Sequence, residues 1–382
     1  DEMRAEKIAP RPVATPGGGA VLAPPLAKSG DGGREAVDLE RHLLDVYRQA
    51  RRMLAVLSPW LRQLVGPQGF RTLCRAVRVA ALTHDLGKAA TGFQEALRGR
   101  DASWNFRHEA LSAAVLLSCW GAGEEAARIA AAAVLTHHRS LDDSRLRKDV
   151  CVLPVPDPEQ EQEVLGAWAA RAREMAPFWQ WVRTFMQRHL PELAARLPGR
   201  PDQLAPPAAL VHDLDVSADA PVLQSARGRM VALARGILMA ADHAASCGVT
   251  PAEHRLSWPT VASLRRFQEE VGSWRGDALL EAPTGSGKTL AAVQWLQRNR
   301  LAGERIFYLL PYQASIDAMA HTLGGWLGAD KVATVHARTL DQAFARYFEE
   351  VGEYRQAYRR ARRLHEASRL FHHPLKVATP FQ

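Results

Sequence analysis

From Leu39 to Gly248 apolar side chains recur every three or four residues and scarcely alternate. Beyond Pro251 they gather into short runs bounded by turn residues. A helix buries a stripe of period 3.6 and a strand a face of period two, so this break separates an all-α part from an α/β part. LERHLLDVYRQARRMLAVL, FRTLCRAVRVAALTHDLG, RHEALSAAVLLSCW and EEAARIAAAAVLTHH read as helices, as do EVLGAWAARAREMAPFWQWVRTFMQRHL and SARGRMVALARGILMAADHAAS. Ser58-Pro59, Gly66-Pro67 and Gly99 punctuate them, and Thr91 with Gln94 fits a capping box that starts a helix after THDLGK. After the break, DALLEA, RIFYLLP, VATVHA and LKVATP predict strands with helices between them, the rhythm of a parallel sheet. The expected organisation is a flexible Pro/Gly-rich leader over 1–35, a helical domain over 36–248 and an α/β domain over 249–382. The chain is thus read as multidomain, with no internal repeat.

Composition narrows the class. The 382 residues are 47% hydrophobic and 24% charged, enough to fill two or three cores and unlike a disordered or fibrous chain. The net charge of +8 suits a polyanionic partner but is mild over this length. Cys74, Cys119, Cys151 and Cys247 stand far apart without a C-x-x-C, so they read as buried thiols in a reducing cytosol. The most apolar stretch, VALARGILMAADHAASCGV, carries Arg235, Asp242 and His243, so no membrane span and a cytoplasmic location are expected.

The helical part holds a constellation of histidine and aspartate: His42, the dipeptide His84-Asp85, His108, the dipeptide His137-His138, and Asp242. Imidazole and carboxylate suit manganese, iron, cobalt, nickel or zinc. Neighbours on a helix diverge by about 100°, so His84 and Asp85 cannot serve one metal in the same way, whereas a carboxylate between two ions can bridge them. Two ions about 3.5–4 Å apart can ionise a water and hold a phosphodiester for in-line attack. A single histidine on an amphipathic helix is more often a packing or surface residue, and His189, His254, His365 and His372-His373 are read that way, as is His212-Asp213 in VHDLDV. The chosen set differs in its context, because THDLGKAATGFQEAL places His-Asp at a helix end before a tight turn carrying Lys88.

The strongest local signal is EAPTGSGKTLAAVQWL. A strand ending at Glu281 is expected to run into a loop of Pro283, Thr284, Gly285, Ser286 and Gly287, then into a helix opened by Lys288 and Thr289. Backbone N–H groups and the helix dipole bind phosphate there, the lysine reaches the β and γ oxygens, and the threonine hydroxyl ligates Mg²⁺. Ala282 replaces the first glycine of the strict pattern. ATP with Mg²⁺ is the expected cofactor of this part.

Taken together, H…HDLGKA…FQ…H…HH…AD-x-x-AS over roughly 38–248 resembles the HD-type nuclease domain of the type I CRISPR-associated helicase–nuclease. The resemblance implies that His42, His84, Asp85 and Asp242 hold one divalent transition metal (Fe, Mn, Co or Ni). Asp85, His108, His137 and His138 would hold a second, with Asp85 bridging and Lys88 beside the scissile phosphate. SLRRFQEEV, with Gln268 twenty residues before Lys288, resembles the adenine-reading glutamine motif of superfamily 2 helicases. LLPYQASIDAMA and VATPFQ resemble that superfamily's DNA-backbone motifs, which makes Gln313 and Thr379 candidates for phosphate contact. The fold implied is an all-α HD-type domain followed by an incomplete RecA-like lobe. No D-E-x-H box follows VATPFQ, so ATP turnover by this polypeptide alone is not expected. The function implied is cleavage of single-stranded DNA, coupled to ATP-driven translocation, with a surveillance complex and its guide RNA as partners and a monomeric state. An HD phosphohydrolase acting on nucleotides with a regulatory ATPase lobe, and a metal-stabilised DNA-binding module, are the alternatives. The Arg-dense RQAYRRARRLHEASR reads equally as a DNA-facing or a solvated helix.

Overall fold

The computed structural model describes residues 23–30, 35–100, 104, 106–120, 124–138, 158–207, 210, 225–249, 256–301, 304–369 and 373–380, apart from the side chains of 158–161. These fall into two compact units, one drawn from the chain up to Ala50 with Arg71–Asp242, the other from Arg51–Phe70 with the chain from His243 onward.

The first unit is helical apart from two short strands. β1 (Leu26–Lys28) pairs antiparallel with β2 (Val37–Asp38). The leader expected through residue 35 therefore contains a strand, whose Ala27 is buried; residues 1–22 lie outside the described part. Gln94 explains the docking. Its amide accepts from Leu26 N at 2.8 Å and donates to Leu26 O at 2.9 Å and Lys88 O at 2.7 Å. The expected capping box is thus not formed: Gln94 is spent on β1, Thr91 donates to Glu174 O, and Ala90 is the cap.

α1 (Leu39–Thr83) opens where the Asp38 carboxylate accepts from Arg41 N at 2.7 Å. Its break falls at Gly66, whose φ of 72° and ψ of 169° leave the helix just before Pro67. Ser58-Pro59 does not interrupt it. A proline forfeits an N–H bond at either place, but only glycine takes the left-handed φ cheaply. A 3₁₀ turn over Leu86–Ala89 leads to α2 (Thr91–Leu97). Next come α3 (His108–Trp120) and α4 (Glu125–Thr136), which pack on each other and are buried on almost every face, as apolar all-round helices must be. α5 (Pro158–Arg173), α6 (Trp179–His189), the single turn α7 (Pro191–Ala194) and α8 (Ala226–Cys247) follow, α8 ending in the second unit.

The second unit contains α9 (Arg266–Ser273), α10 (Lys288–Asn299), β3 (Ile306–Leu309) and α11 (Gln313–Leu327). β4 (Val332–Val335), α12 (Thr339–Val351), α13 (Tyr354–Arg369) and β5 (Leu375–Ala378) complete it. The strands form a parallel sheet in the order β3-β5-β4, with Leu375 opposite both Ile306 and Val332. Parallel neighbours need crossovers, and α11 and the α12–α13 pair supply them. One side of the sheet is packed by Val293, Ile316, Leu323 and Leu327 against Ile306, Leu375 and Val377. DALLEA is not a strand: residues 277–282 are unpaired and Leu279 is 89% exposed. Without a ladder partner or a buried face its apolar run has nothing to stabilise extended pairing.

No helix among the described residues is long and apolar enough to cross a membrane. Cys119 is buried and Cys74 and Cys247 are half-buried, and none of the three is in a disulfide; Cys151 lies outside the described residues.

Candidate metal centre

Five elements deliver the seven predicted side chains to one place. His42 sits one turn into α1 on its buried face with Leu39, Leu43 and Val46. His84 ends α1, and Asp85 opens the 3₁₀ turn. His108 is the first residue of α3, His137 follows α4 with His138 after it, and Asp242 lies on α8. The HDLGK turn reaches α3 because residue 87 is glycine: a Cβ there would lie 2.0 Å from His108 O. Gly87 N donates to Ser112 Oγ at 2.8 Å, and Ser112 donates to His108 O at 3.0 Å, which locks the turn to the helix carrying His108.

Asp85 is the hub, and its two oxygens face different ligands. Oδ1 lies 3.0 Å from His108 Nε2 and 3.8 Å from His137 Nε2. Oδ2 lies 3.2 Å from His42 Nε2, 3.4 Å from His84 Nε2 and 2.7 Å from Lys88 Nζ. His42 Nε2 also stands 3.2 Å from Asp242 Oδ1. The donor atoms divide into two groups, Asp85 with His108, His137 and His138, and His42 with His84 and Asp242, each within 4.8 Å. All are buried or nearly so except His138, which is exposed at the rim while its ring lies against those of His108 and His137.

The ring orientations are set by backbone. His84 Nδ1 lies 3.1 Å from Ala81 O and His137 Nδ1 2.6 Å from Val134 O, so each ring donates to its own helix and turns the Nε2 lone pair inward. Burial, only partly offset by the charge of Asp85, lowers His84 to about 3. Burial and its neighbours His137 and His108 lower His138 to about 4. Both rings are therefore neutral, the form that ligates. Burial works against ionisation of Asp85, but the charges of His84 and Lys88 and the adjoining His108 and His137 rings hold it well below the usual carboxylate range. Asp242 is lowered too, with burial overcome by His42 beside it and by the His84 imidazole. His42 is raised, because Asp242 and Asp85 outweigh its burial.

The donor set fits metal. His42 Nε2, His84 Nε2, Asp85 Oδ1, His108 Nε2 and His137 Nε2 are all buried and make no well-aligned hydrogen bond. A buried polar atom left unsatisfied costs about 1–3 kcal/mol, so five aimed at one space need an occupant. Two divalent ions would satisfy them.

Some participants are not legible as site residues in the sequence. Glu109 sits 3.5 Å from His108 Nδ1 and 3.0 Å from Arg107 Nη2 in a buried group. Burial resists its ionisation, but His108 and Arg107 lower it to about 2. The RHE tripeptide at a helix start was the available signal. Phe93 packs its ring 5.2 Å from that of His108, with Lys88 Nζ 5.7 Å from its centre. Of the histidines set aside, His189 lies 3.0 Å from Glu40, His365 is half-buried and His373 is buried. His212, Asp213, His254 and His372 lie outside the described residues.

In the second unit, the loop from Pro283 to Gly287 turns through positive φ at Gly285 (77°) and Gly287 (93°). Lys288 Nζ donates to Ala282 O at 2.6 Å and Pro283 O at 2.8 Å, so the lysine folds over the loop that precedes it. Gln268 is buried and donates to Gly287 O at 3.1 Å, while Arg265 Nη1 donates to Ser286 O at 2.7 Å. Gln268 is thereby brought to the loop. Thr284 is exposed, and Thr289 follows Lys288 half-buried. Gln313 opens α11 exposed, and Thr379 follows β5 half-buried.

The family described as Cas3, HD domain, matches residues 26–248. The CRISPR-associated nuclease/helicase Cas3 of Methanothermobacter thermautotrophicus is 23% identical over 325 residues, which are 72% of this chain and 37% of that protein. The crystal structure of T. fusca Cas3 with ADP superposes with a TM-score of 0.45 at 16% identity, covering 93% of this chain and 43% of that one. A second crystal structure of T. fusca Cas3 gives 0.46 at 15%, with the same coverage. The chain spans less than half the length of these relatives. With a family match over more than half of its residues, this chain belongs to the Cas3 HD-domain family.

Proposed function

We propose that this chain is a metal-dependent nuclease that cuts single-stranded DNA, and that in a longer polypeptide it is coupled to an ATP-driven translocase serving CRISPR defence. The observation that carries the reading is Asp85, whose two oxygens face two separate donor groups, as a bridging carboxylate requires. His42, His84, Asp85 and Asp242 would hold one ion, and Asp85, His108, His137 and His138 the other. When bound, two such ions lower the pKa of water and neutralise charge on a phosphodiester. The protein supplies the remainder. His84 and His137 are turned by backbone carbonyls so that Nε2 faces the site, His84 as a neutral donor. Glu109 orients His108, and Lys88 stands beside Asp85 as a buried ammonium able to offset phosphate charge.

The second unit is read as the first part of a RecA-like lobe. Gln268 and residues 283–289 would bind ATP with Mg²⁺, and Gln313 and Thr379 would meet DNA phosphates beyond the C-terminal ends of β3 and β5, where parallel sheets place their ligands. The Cas3 family membership supports a surveillance complex with guide RNA as the partner.

Circular single-stranded DNA and mononucleotides, incubated separately with Mn²⁺, Co²⁺ or Fe²⁺, test the proposal. Nicking of circles that a chelator stops is the expected result. Phosphate release from nucleotides alone would point to an HD phosphohydrolase acting on nucleotides, and inertness toward both to a metal-stabilised DNA-binding module.

A further inference from the structure

The Arg-dense segment that the metal centre leaves unused forms α13, which packs against α12 in a helical hairpin. α13 carries six arginines and one acid, Glu366. Glu366 already lies 3.6 Å from His243. Arg355, Arg359 and Arg362 are exposed, and no carboxylate pairs with them among the described residues. At 100° per residue they fall on one side of the helix, next to Tyr354 and Tyr358.

Aromatic rings line the same edge. Tyr354 is 64% exposed and Tyr358 40% exposed, and their rings are parallel within 6° at 6.4 Å. Phe344 of α12 meets both, at 5.1 and 6.4 Å, and stacks on Phe348 at 5.7 Å. Phe348 is 43% exposed. Ala357, Ala361, Ala367 and Ser368 of α13 are buried, whereas Tyr354 and Tyr358 rest one edge on Phe344 and leave much of their surface in water. The ring surface left in water and the repulsion among the neighbouring arginines are not accounted for by the hairpin's own packing.

We propose that this face of the α12–α13 hairpin binds single-stranded nucleic acid, with Tyr354 and Tyr358 stacking bases and Arg355, Arg359 and Arg362 meeting successive phosphates. The chemistry selects this occupant. An acidic protein would match the charge but leave the rings unused, and an apolar partner would strand the arginines. A flexible strand offers a π-face and a phosphate at every step. None of these residues is a proposed metal ligand or part of the phosphate loop, so the face can hold a strand without taking part in its cleavage.

The test is fluorescence anisotropy of a labelled oligo-dT with the full chain in chelator, where no cutting occurs. Tyr354→Ala with Tyr358→Ala should weaken binding roughly ten-fold or more, since a stacked base is worth about 1–3 kcal/mol. Arg355→Gln, Arg359→Gln and Arg362→Gln together should lower the slope of log affinity against log salt by about 2, near 0.7 per phosphate released. Circular dichroism and cleavage of bis(p-nitrophenyl) phosphate should match the parent in both variants, which separates failure of this surface from failure of the metal site. Unchanged dT affinity in the tyrosine variant would overturn the proposal. So would displacement of dT by polyglutamate as efficient as that by unlabelled dT, which would mark an acidic-protein face.

Discussion

At the scale of single residues, the site rests on Asp85, a carboxylate surrounded by four imidazoles and an ammonium with almost no access to water. Asp85→Ala removes the shared ligand and leaves buried nitrogens facing each other, and should reduce nicking below detection while His138→Ala, at the exposed rim, retains a measurable fraction. A time course on circular DNA distinguishes them. Acid should act on the same residues. His84 is lowered to about 3 against an ordinary 6.5, so the unfolded chain binds its proton first as pH falls. The stability it carries is complete above pH 6.5 and is lost on the way down to about 3; Asp85 and Asp242, also lowered, add loss in the same direction below about 4. His42 is raised and has the opposite sign, contributing below 6.5 and fading above it. The unfolding temperature of chelated protein should therefore drop between pH 7 and pH 4, and a flat profile would show that these groups are not desolvated. His84, Asp85, His137 and His138 were legible because their dipeptides sit at helix ends, whereas His42 and His108 were legible only through the resemblance. Glu109 was not, because nothing in RHE shows which side chain faces His108 until α3 and the HDLGK turn have met.

At the scale of elements, two contacts decide whether the site assembles. Gly87→Ala would drive a methyl group into His108 O, and overpacking of that kind costs about 1–3 kcal/mol. Urea unfolding should show that loss, together with weakened nicking, whereas Gly236→Ala, with open space around it on α8, should be neutral or gain about 0.5–1 kcal/mol. Gln94→Ala unpairs Leu26 and the Lys88 carbonyl, at about 1–3 kcal/mol, and should release β1 to proteolysis before the rest of the unit. Helices were readable from period alone, and so were β3, β4 and β5, whose apolar runs are short and bounded. DALLEA has the same apolar look, but a strand exists only where a neighbour takes up its hydrogen bonds, and sequence does not supply the neighbour. Gly66-Pro67 and Ser58-Pro59 look alike as breakers for a related reason: the outcome depends on φ at the residue before proline.

At the scale of the whole molecule, the periodicity break after Gly248 separates the helical pattern from the strand-forming one, yet the compact units cross it: Arg51–Phe70 of α1 joins the later residues. Local pattern reports which element a segment forms and is silent on which unit a long helix joins. The two units should answer to different ligands. ATP with Mg²⁺ should raise the unfolding temperature in proportion to the logarithm of its concentration, and Lys288→Ala should abolish that rise while leaving DNA nicking intact. The most direct test of the central claim is the number of divalent ions bound per chain, counted by isothermal titration of Mn²⁺ into metal-free protein. Two ions per chain in the parent, one in Asp242→Ala and none held tightly in Asp85→Ala is the predicted result. Equal uptake by the parent and Asp85→Ala, or none by the parent, would contradict it.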